Sequence, residues 1–393
     1  MAKRIITGLD IGTSAIRAAV CVYEKNDPNC YLLAITEEES RGMRHGYVIN
    51  PEETVDSIKK VLRKAEKTAG VKLRNISLSI GGITLASQVA DGSVAVSRAD
   101  SEVTDLDLAR ASEAAHSNLK DAVNREIIHT IAQAYRLDSK KVLGRPLGLK
   151  GSVLEAKSLF ITVLEQHASV LVTAVEEAGV SVCDVIAAPI AASFAVLSKR
   201  EKTAGCVLIN IGAETLSLAV FEEGIPISIA VFPIGSLDIT NDIAIGMRVS
   251  LEEAELLKQG LHEPPSKKKL DEIMAARLSD IFDTIKGHLK KIGRLGLLPA
   301  GAIFTGGGAF LPILETLARE ELALPVRVVR DFIVPVFSRE DRQMSAKSIS
   351  SLWSVAYGLT LAVQDEDIEQ STGAKIARST KKNIIAWLRE LLP

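Results

Sequence analysis

Two stretches of this chain repeat one device. Gly8 to Ala18 reads GLDIGTSAIRA and Asn210 to Val220 reads NIGAETLSLAV, each an apolar strand running into a glycine-containing turn and out into a second strand. A third strand-like run follows each copy, CYLLAITEEE in the first and PISIAVFPIG in the second. The copies stand about two hundred residues apart, so the chain reads as two similar α/β units, and a ligand held between them would touch both turns. Its 393 residues exceed one core of ordinary size and suit two to four packed units.

Composition narrows the class. With 47% hydrophobic and 24% charged residues, the chain is not disordered as a whole. The formal charge of −2 supplies no overall pull toward nucleic acid, and no basic patch interleaved with aromatics stands out, so no nucleic-acid partner is expected. Cys21, Cys30, Cys183 and Cys206 lack CxxC or Cys/His spacing, which favours reduced thiols in a cytosolic protein over a disulfide framework or zinc site. The opening MAKRIITGLDIG enters a strand directly, so no signal peptide is expected. The longest apolar stretch, DVIAAPIAASFAVL, contains Pro189 and falls short of the roughly 18 residues a spanning helix needs. It reads as a buried helix.

Between the two copies the texture changes. A helix runs from Asn50-Pro51 to Gly70, and NISLSIGG is a further strand. From about Thr84 to Thr162 the sequence reads as an inserted α+β unit, with a short strand pair around SQVADGSVAVSR and a helix TDLDLARASEAAHSNL. After the second copy, Ser236 to about Ala300 is mainly helical, with a polar break at HEPPSKKK. FTGGGAFLPIL then gives a strand, a glycine turn and a helix, and SLWSVAYGLTLAV is a last buried helix.

Three turns could carry chemistry. In DIGTS the backbone N–H groups of Gly12, Thr13 and Ser14 suit an anion, and Asp10 at the strand end could hold Mg²⁺ through water. Gly306, Gly307 and Gly308 let backbone approach a flat or anionic ligand where a Cβ would collide. Taken singly, each also suits an ordinary strand turn or close packing. Their order across two α/β halves favours a shared ligand.

That order resembles the actin-like ATPase superfamily: two phosphate loops, then an adenosine loop. More closely, the chain resembles the FtsA family of bacterial cell-division proteins, nearly end to end. The residues that carry the resemblance are GLDIGTS, RGMRHGYVINPEETVDSI, the insert from EIIHTIAQAYRLD to RPLGLKGSVLEAKSLFIT, FPIGSLDITNDIAIGMRVSLEEAELLKQG and FTGGGAFLPIL. The resemblance implies an α/β, actin-like (ribonuclease H-like) two-domain ATPase fold with an inserted α+β subdomain and a C-terminal amphipathic helix. Subdomain 1A would span 1–83 and 163–197, the insert 84–162, subdomain 2A 198–232 and 301–363, and subdomain 2B 233–300. A linker, 364–380, and a membrane-binding helix, 381–393, would follow. The cofactors implied are ATP and Mg²⁺, held by Asp10, Gly12, Thr13, Ser14, Asn210, Gly212, Thr215 and Gly306 to Gly308. Glu255 and Lys258 would lie beside the nucleoside; on residues alone they are an exposed charged pair on a helix.

The second loop departs from the family pattern Asp-Ile-Gly-Gly-Gly-Thr: here stand Asn210, Ile211, Gly212, Ala213, Glu214 and Thr215. Asn210 can accept a hydrogen bond from a metal-bound water but brings no negative charge. A Glu214 carboxylate about 5 Å from a phosphate charge would cost roughly 3 kcal/mol at an effective dielectric near 20, about a hundredfold in binding. Alternatively Glu214 replaces Asn210 as metal ligand. Where relatives place a Glu or Gln to orient the attacking water, at the start of the helix near Pro189, the register puts Ala188, which cannot do so. The expectation is nucleotide binding with slow or absent hydrolysis.

The tail carries its own signal. On a helical wheel Ile384, Ile385, Trp387, Leu388, Leu391 and Leu392 share one side, and Lys382, Asn383, Arg389 and Glu390 the other. So short a helix should fold on contact with a surface, with Trp387 at the headgroup boundary and Lys381, Lys382 and Arg389 favouring anionic lipid. Docking on the protein's own body is the alternative. The polar stretch before it argues for reach. The resemblance further implies self-association into filaments, a tubulin-like division ring protein bound through subdomain 2B, and a peripheral position on the cytoplasmic face of the inner membrane at the division site. Two other functions share this frame: a pilus-assembly adaptor similar to PilM, and a sugar or acetate kinase of the same superfamily.

Overall fold

A computed structural model describes residues 3–24, 29–120, 123–337 and 344–362. The linker at 364–380 and the helix at 381–393, with Ile384, Ile385, Trp387, Leu388, Leu391 and Leu392, lie outside the described residues.

The repeated device builds two sheets with one strand order. In the first, Lys3–Ile11 pairs antiparallel with Ala15–Glu24, which pairs with Cys30–Glu39; on its other side Lys3–Ile11 runs parallel to Asn75–Ile80, and that to Ser181–Ala187. In the second, Cys206–Ile211, Leu216–Glu222 and Ile225–Phe232 form the antiparallel part, and Gly301–Thr305 and Val326–Val328 the parallel part. Both read 3-2-1-4-5, the arrangement of an actin-like half. The parallel strands need helical crossovers. Pro51–Ala69 is one such helix: Asn50 caps it, Pro51 opens it without wasting an N–H, and Gly70 closes it in the left-handed region. Its face of Val55, Ile58, Val61, Leu62 and Ala65 is buried in the first core.

Two expectations are corrected. Of 301–363, expected in the second unit, Asp331–Phe337 and Met344–Ser350 instead form a hairpin added to the first sheet through Val336 opposite Leu32. The helix Ser354–Ala362 then packs on Lys3–Ile11 and on Ala188–Val196 of the first unit. Such pairing is non-local, so nothing within the segment specifies it. Secondly, SQVADGSVAVSR is not a strand pair. Ala86–Ala95 is one continuous strand, laddered along its length to Val153–Leu164. Gly92 makes no turn; a Cβ there would fall 2.2 Å from the Ala111 carbonyl oxygen, so the glycine lets the helix Asp105–Ser117 lie on the strand.

Although it interrupts the first unit, the inserted segment joins its sheet to the second. Ala86 pairs with Ala230, and the Ser87 hydroxyl exchanges two hydrogen bonds with the Ile229 backbone at 2.7 and 2.8 Å. Where these strands diverge, a groove of about 590 Å³ opens, lined by Gln133, Lys157, Ile227 and Arg294 among others and remote from both glycine turns in its lining.

Candidate functional site

The two glycine turns close identically. Gly12 N–H donates to the Ala15 carbonyl at 3.1 Å, and Gly212 N–H to the Thr215 carbonyl at 2.8 Å. Asp10 and Asn210 stand at the same place, one residue before the end of each strand, opposite Arg17 and Ser217. Asp10 accepts a 2.7 Å hydrogen bond from the Ser79 hydroxyl. Burial pushes its carboxyl above the usual range, against the pull of Ser79 and Arg17. Ser14 is tied by its carbonyl to the Ser40 N–H.

Between the turns sits an element outside the three glycine motifs. Met43–Arg44 and Tyr47–Val48 form a hairpin whose two-residue tip, His45 at φ 48° and Gly46 at φ 80°, matches the doubly positive geometry of a type I′ turn. The tip touches both loops. His45 N–H donates to Glu214 Oε2 at 2.6 Å, and His45 Nδ1 lies 3.2 Å from the Glu214 carbonyl oxygen. Gly46 N–H donates to Thr13 Oγ1 at 3.1 Å. Behind the tip, the Gly46 carbonyl lies 3.0 Å from His167 Nε2, and Thr84 Oγ1 lies 2.7 Å from His167 Nδ1. A carbonyl only accepts, so Nε2 carries a hydrogen, while the threonine hydroxyl can donate to or accept from Nδ1. Burial lowers the imidazole's pKa against the opposing hydrogen bond to Gly46, which favours the neutral ring. Tyr47 stacks on this ring at 4.3 Å between centroids. The signal for the hairpin was legible: two residues, His-Gly, flanked by short runs in MRHGYV.

On the second unit, helix Ser236–Met247 abuts the altered loop. Ser236 and Leu237 N–H groups donate to the Gly212 and Ala213 carbonyls at 2.9 and 2.8 Å. Lys258 is buried rather than solvated: its ammonium bonds Glu255 Oε2 at 2.7 Å, Thr240 Oγ1 at 2.8 Å and the Ser236 carbonyl at 3.2 Å. Burial opposes ionisation of Glu255, but hydrogen bonds from Lys258, Thr240 and Gln259 outweigh it and hold its carboxyl below the usual range. The triple glycine divides its labour. Gly306, at φ 87°, presses so close to the second loop that a Cβ would fall 2.1 Å from Asn210 Oδ1, and Gly308 packs equally tightly on Ile211. Gly307 is exposed, and a Cβ added there would come no nearer than 3.8 Å to Leu352, so its backbone is open to a ligand.

Ala188 is the first residue of helix Ala188–Val196, facing Gly81 and offering no oxygen to a water. The N–H before it, of Ala187, donates to Nε2 of His129, a buried histidine that reaches in from the inserted segment.

Contacts link these parts in sequence: the hairpin tip joins Thr13 to Glu214, Gly306 abuts Asn210, and Lys258, paired with Glu255, reaches Ser236, whose N–H donates to Gly212. The open face of Gly307 and the glycine turns fit a nucleotide, and Asp10 fits a water-mediated Mg²⁺. Among the described residues no cluster of three or more His, Cys, Asp or Glu offers direct metal ligation. Glu214 turns one carboxylate oxygen to the His45 N–H.

Residues 207–351 match the sequence model of the family described as Cell division protein FtsA, and residues 82–162 match that of the SHS2 domain inserted in FTSA. A Cell division protein FtsA from Pseudomonas aeruginosa is 32% identical over 348 residues, covering 83% of this chain and 82% of that protein. This chain belongs to the FtsA family. Solved structures agree on the fold. A PilM-PilN type IV pilus biogenesis complex matches with TM-score 0.66 at 18% identity, over 92% of this chain and 98% of that one. MreB5 of Spiroplasma citri bound to ADP matches with TM-score 0.54 at 14% identity, over 94% and 99%. At such identities the likeness shows the actin-like fold alone, so FtsA membership rests on the sequence matches. Among the described residues no helix is long and apolar enough to cross a membrane.

Proposed function

We propose that this FtsA-family cell-division protein is a nucleotide-binding adaptor that polymerises on the cytoplasmic face of the inner membrane and tethers a tubulin-like division ring protein to it. In this reading the helix at 381–393 holds the anionic membrane surface, and the region 233–300 receives the ring protein. ATP with Mg²⁺ is the ligand of the cleft, a role supported by the ADP bound in the fold relative MreB5. The observation that supports the reading is the chain of contacts that runs from Thr13 through the hairpin tip to Glu214 of the second turn, with Gly306 against Asn210 and the Lys258–Glu255 pair against Ser236, while Ala188 and Asn210 stand where hydrolysis would need other groups. Nucleotide there joins two domains without needing to be consumed. Lys258 and Glu255 would flank the nucleoside, the turns the phosphates, and Asp10 a metal-bound water.

The test pairs two assays on the full chain. Titration with Mg²⁺-ATP is expected to show binding with little or no steady-state phosphate release. Sedimentation with anionic vesicles is expected to pellet the protein and to recruit the ring protein with it, and Trp387→Glu is expected to abolish both. Rapid turnover, or pelleting unaffected by Trp387→Glu, would overturn the corresponding part.

A further inference from the structure

The hairpin tip bonds both glycine turns and also the base of the inserted segment. Toward the second unit, His45 N–H donates to Glu214 Oε2 at 2.6 Å and His45 Nδ1 lies 3.2 Å from the Glu214 carbonyl oxygen. On its other side the tip meets the chain that leads into the insert: Ile83 N–H donates to the His45 carbonyl at 3.4 Å, and a Cβ on Gly46 would fall 2.5 Å from Gly82 Cα. His167 completes that contact, reaching from the Gly46 carbonyl at 3.0 Å to Thr84 Oγ1 at 2.7 Å. Thr84 lies where the chain enters the inserted segment and Thr162 near where it leaves, and Arg125 ties the two. Its guanidinium donates to the Thr84 carbonyl, to Thr162 Oγ1 at 2.9 Å and to the Thr162 carbonyl at 3.2 Å. Thr84, Thr162 and His167 are all buried.

These bonds close a ring. Just beyond Thr84, Ala86 pairs with Ala230 and the Ser87 hydroxyl bonds Ile229, both in the second unit. Leu216 and Leu218, which follow Glu214, pair with Phe232 and Ala230 of that same strand. One sheet therefore grips the hairpin tip at Glu214 and the base of the insert at Ile229 and Ala230, while His167 joins tip to base. Hydrogen-bond chains between rigid elements of this kind carry coupling over distance. We propose that the hairpin tip and His167 form a conformational coupler that ties the pose of the inserted segment to the separation of the two units at Glu214. His167 is its positioning residue. Release at Glu214 frees the tip from the second unit, Gly46 and His167 loosen with it, and the clamp of Thr84, Arg125 and Thr162 follows.

The experiment is amide hydrogen exchange of the full chain, read over 85–90 and 159–164 at the base of the insert, with Cys206–Ile211 as the control for global unfolding. The grip is released by Glu214→Ala/His45→Gly, which removes both bonds and leaves glycine in the left-handed position that His45 holds. Exchange at the base is expected to rise by about fivefold or more, with the control unchanged. The same release is then made in His167→Phe, which keeps a ring against Tyr47 but neither hydrogen bond, and in Thr84→Val, which exchanges only a hydroxyl for a methyl. In both backgrounds the added rise is expected to stay under about twofold. No rise on release, a rise shared by Cys206–Ile211, or an equal rise in Thr84→Val overturns the inference; Thr84→Val decides if His167→Phe fails to fold. No nucleotide enters the assay, so a negative result leaves the nucleotide-binding reading standing.

Discussion

Protonating His129 should unfasten the inserted segment from the first unit. His129 is buried on strand Arg125–Leu137 and uses Nε2 to accept the Ala187 N–H at 3.1 Å, at the start of helix Ala188–Val196. Burial pushes its imidazole down to about 4, from an ordinary value of 6.5. A folded-state value below the unfolded one means that the unfolded chain binds the proton first. Stability from this group is complete above the unfolded value and is lost as pH falls from about 6.5 toward 4. The full loss is about 3 kcal/mol, from a difference of roughly 2.5 in pKa at 1.36 kcal/mol each, and roughly 2 kcal/mol of it falls between about pH 7 and pH 5. The assay is urea unfolding of the natural chain and of His129→Gln, whose side-chain carbonyl accepts the same N–H without titrating. Subtracting the two at each pH cancels all other groups. The difference is expected to close by about 2 kcal/mol over that interval, with the ring resonances of His129 unshifted until pH falls below about 5. A difference flat to within about 0.5 kcal/mol would refute the argument.

Other substitutions probe separate contacts. Asp107→Asn removes the carboxylate that accepts from Ser97 N–H, Thr104 N–H and Thr104 Oγ1 at 2.7–3.0 Å, and is expected to cost about 2 kcal/mol in the inserted segment, read by urea unfolding. Lys258→Met leaves Glu255 half-buried without its cation; a loss of roughly 3 kcal/mol is expected, with most of it recovered in Lys258→Met/Glu255→Leu, read as a double-mutant cycle of unfolding free energies. Gly306→Ala meets both a left-handed backbone and Asn210 Oδ1, so a drop of several degrees in Tm, with nucleotide affinity reduced alongside it, is the expected result of thermal scans. Scans showing no change would remove the close approach of the third turn to the second loop.

Much of the frame was legible because its determinants are local. Alternating apolar residues, Asn50-Pro51 and Gly70 at the ends of one helix, and a glycine turn repeated after like strands act within a few residues of one another, and the FtsA resemblance follows from the same motifs. By itself the sequence determined two α/β halves with an inserted segment, the degraded second loop, and the alanine at the head of helix Ala188–Val196. Tertiary structure alone decided where the groups of the site point. Glu214 read in isolation repels phosphate; folded, it finds an amide 169 positions away on a hairpin tip. The stretch SQVADGSVAVSR, expected as a strand pair, is one strand whose Gly92 seats a helix, and the hairpin after Val328 returns to the first sheet rather than staying with its sequence neighbours. Each outcome depends on surfaces brought together by chain segments far apart, and a side chain's partner across such a junction leaves no periodic trace in its own neighbourhood.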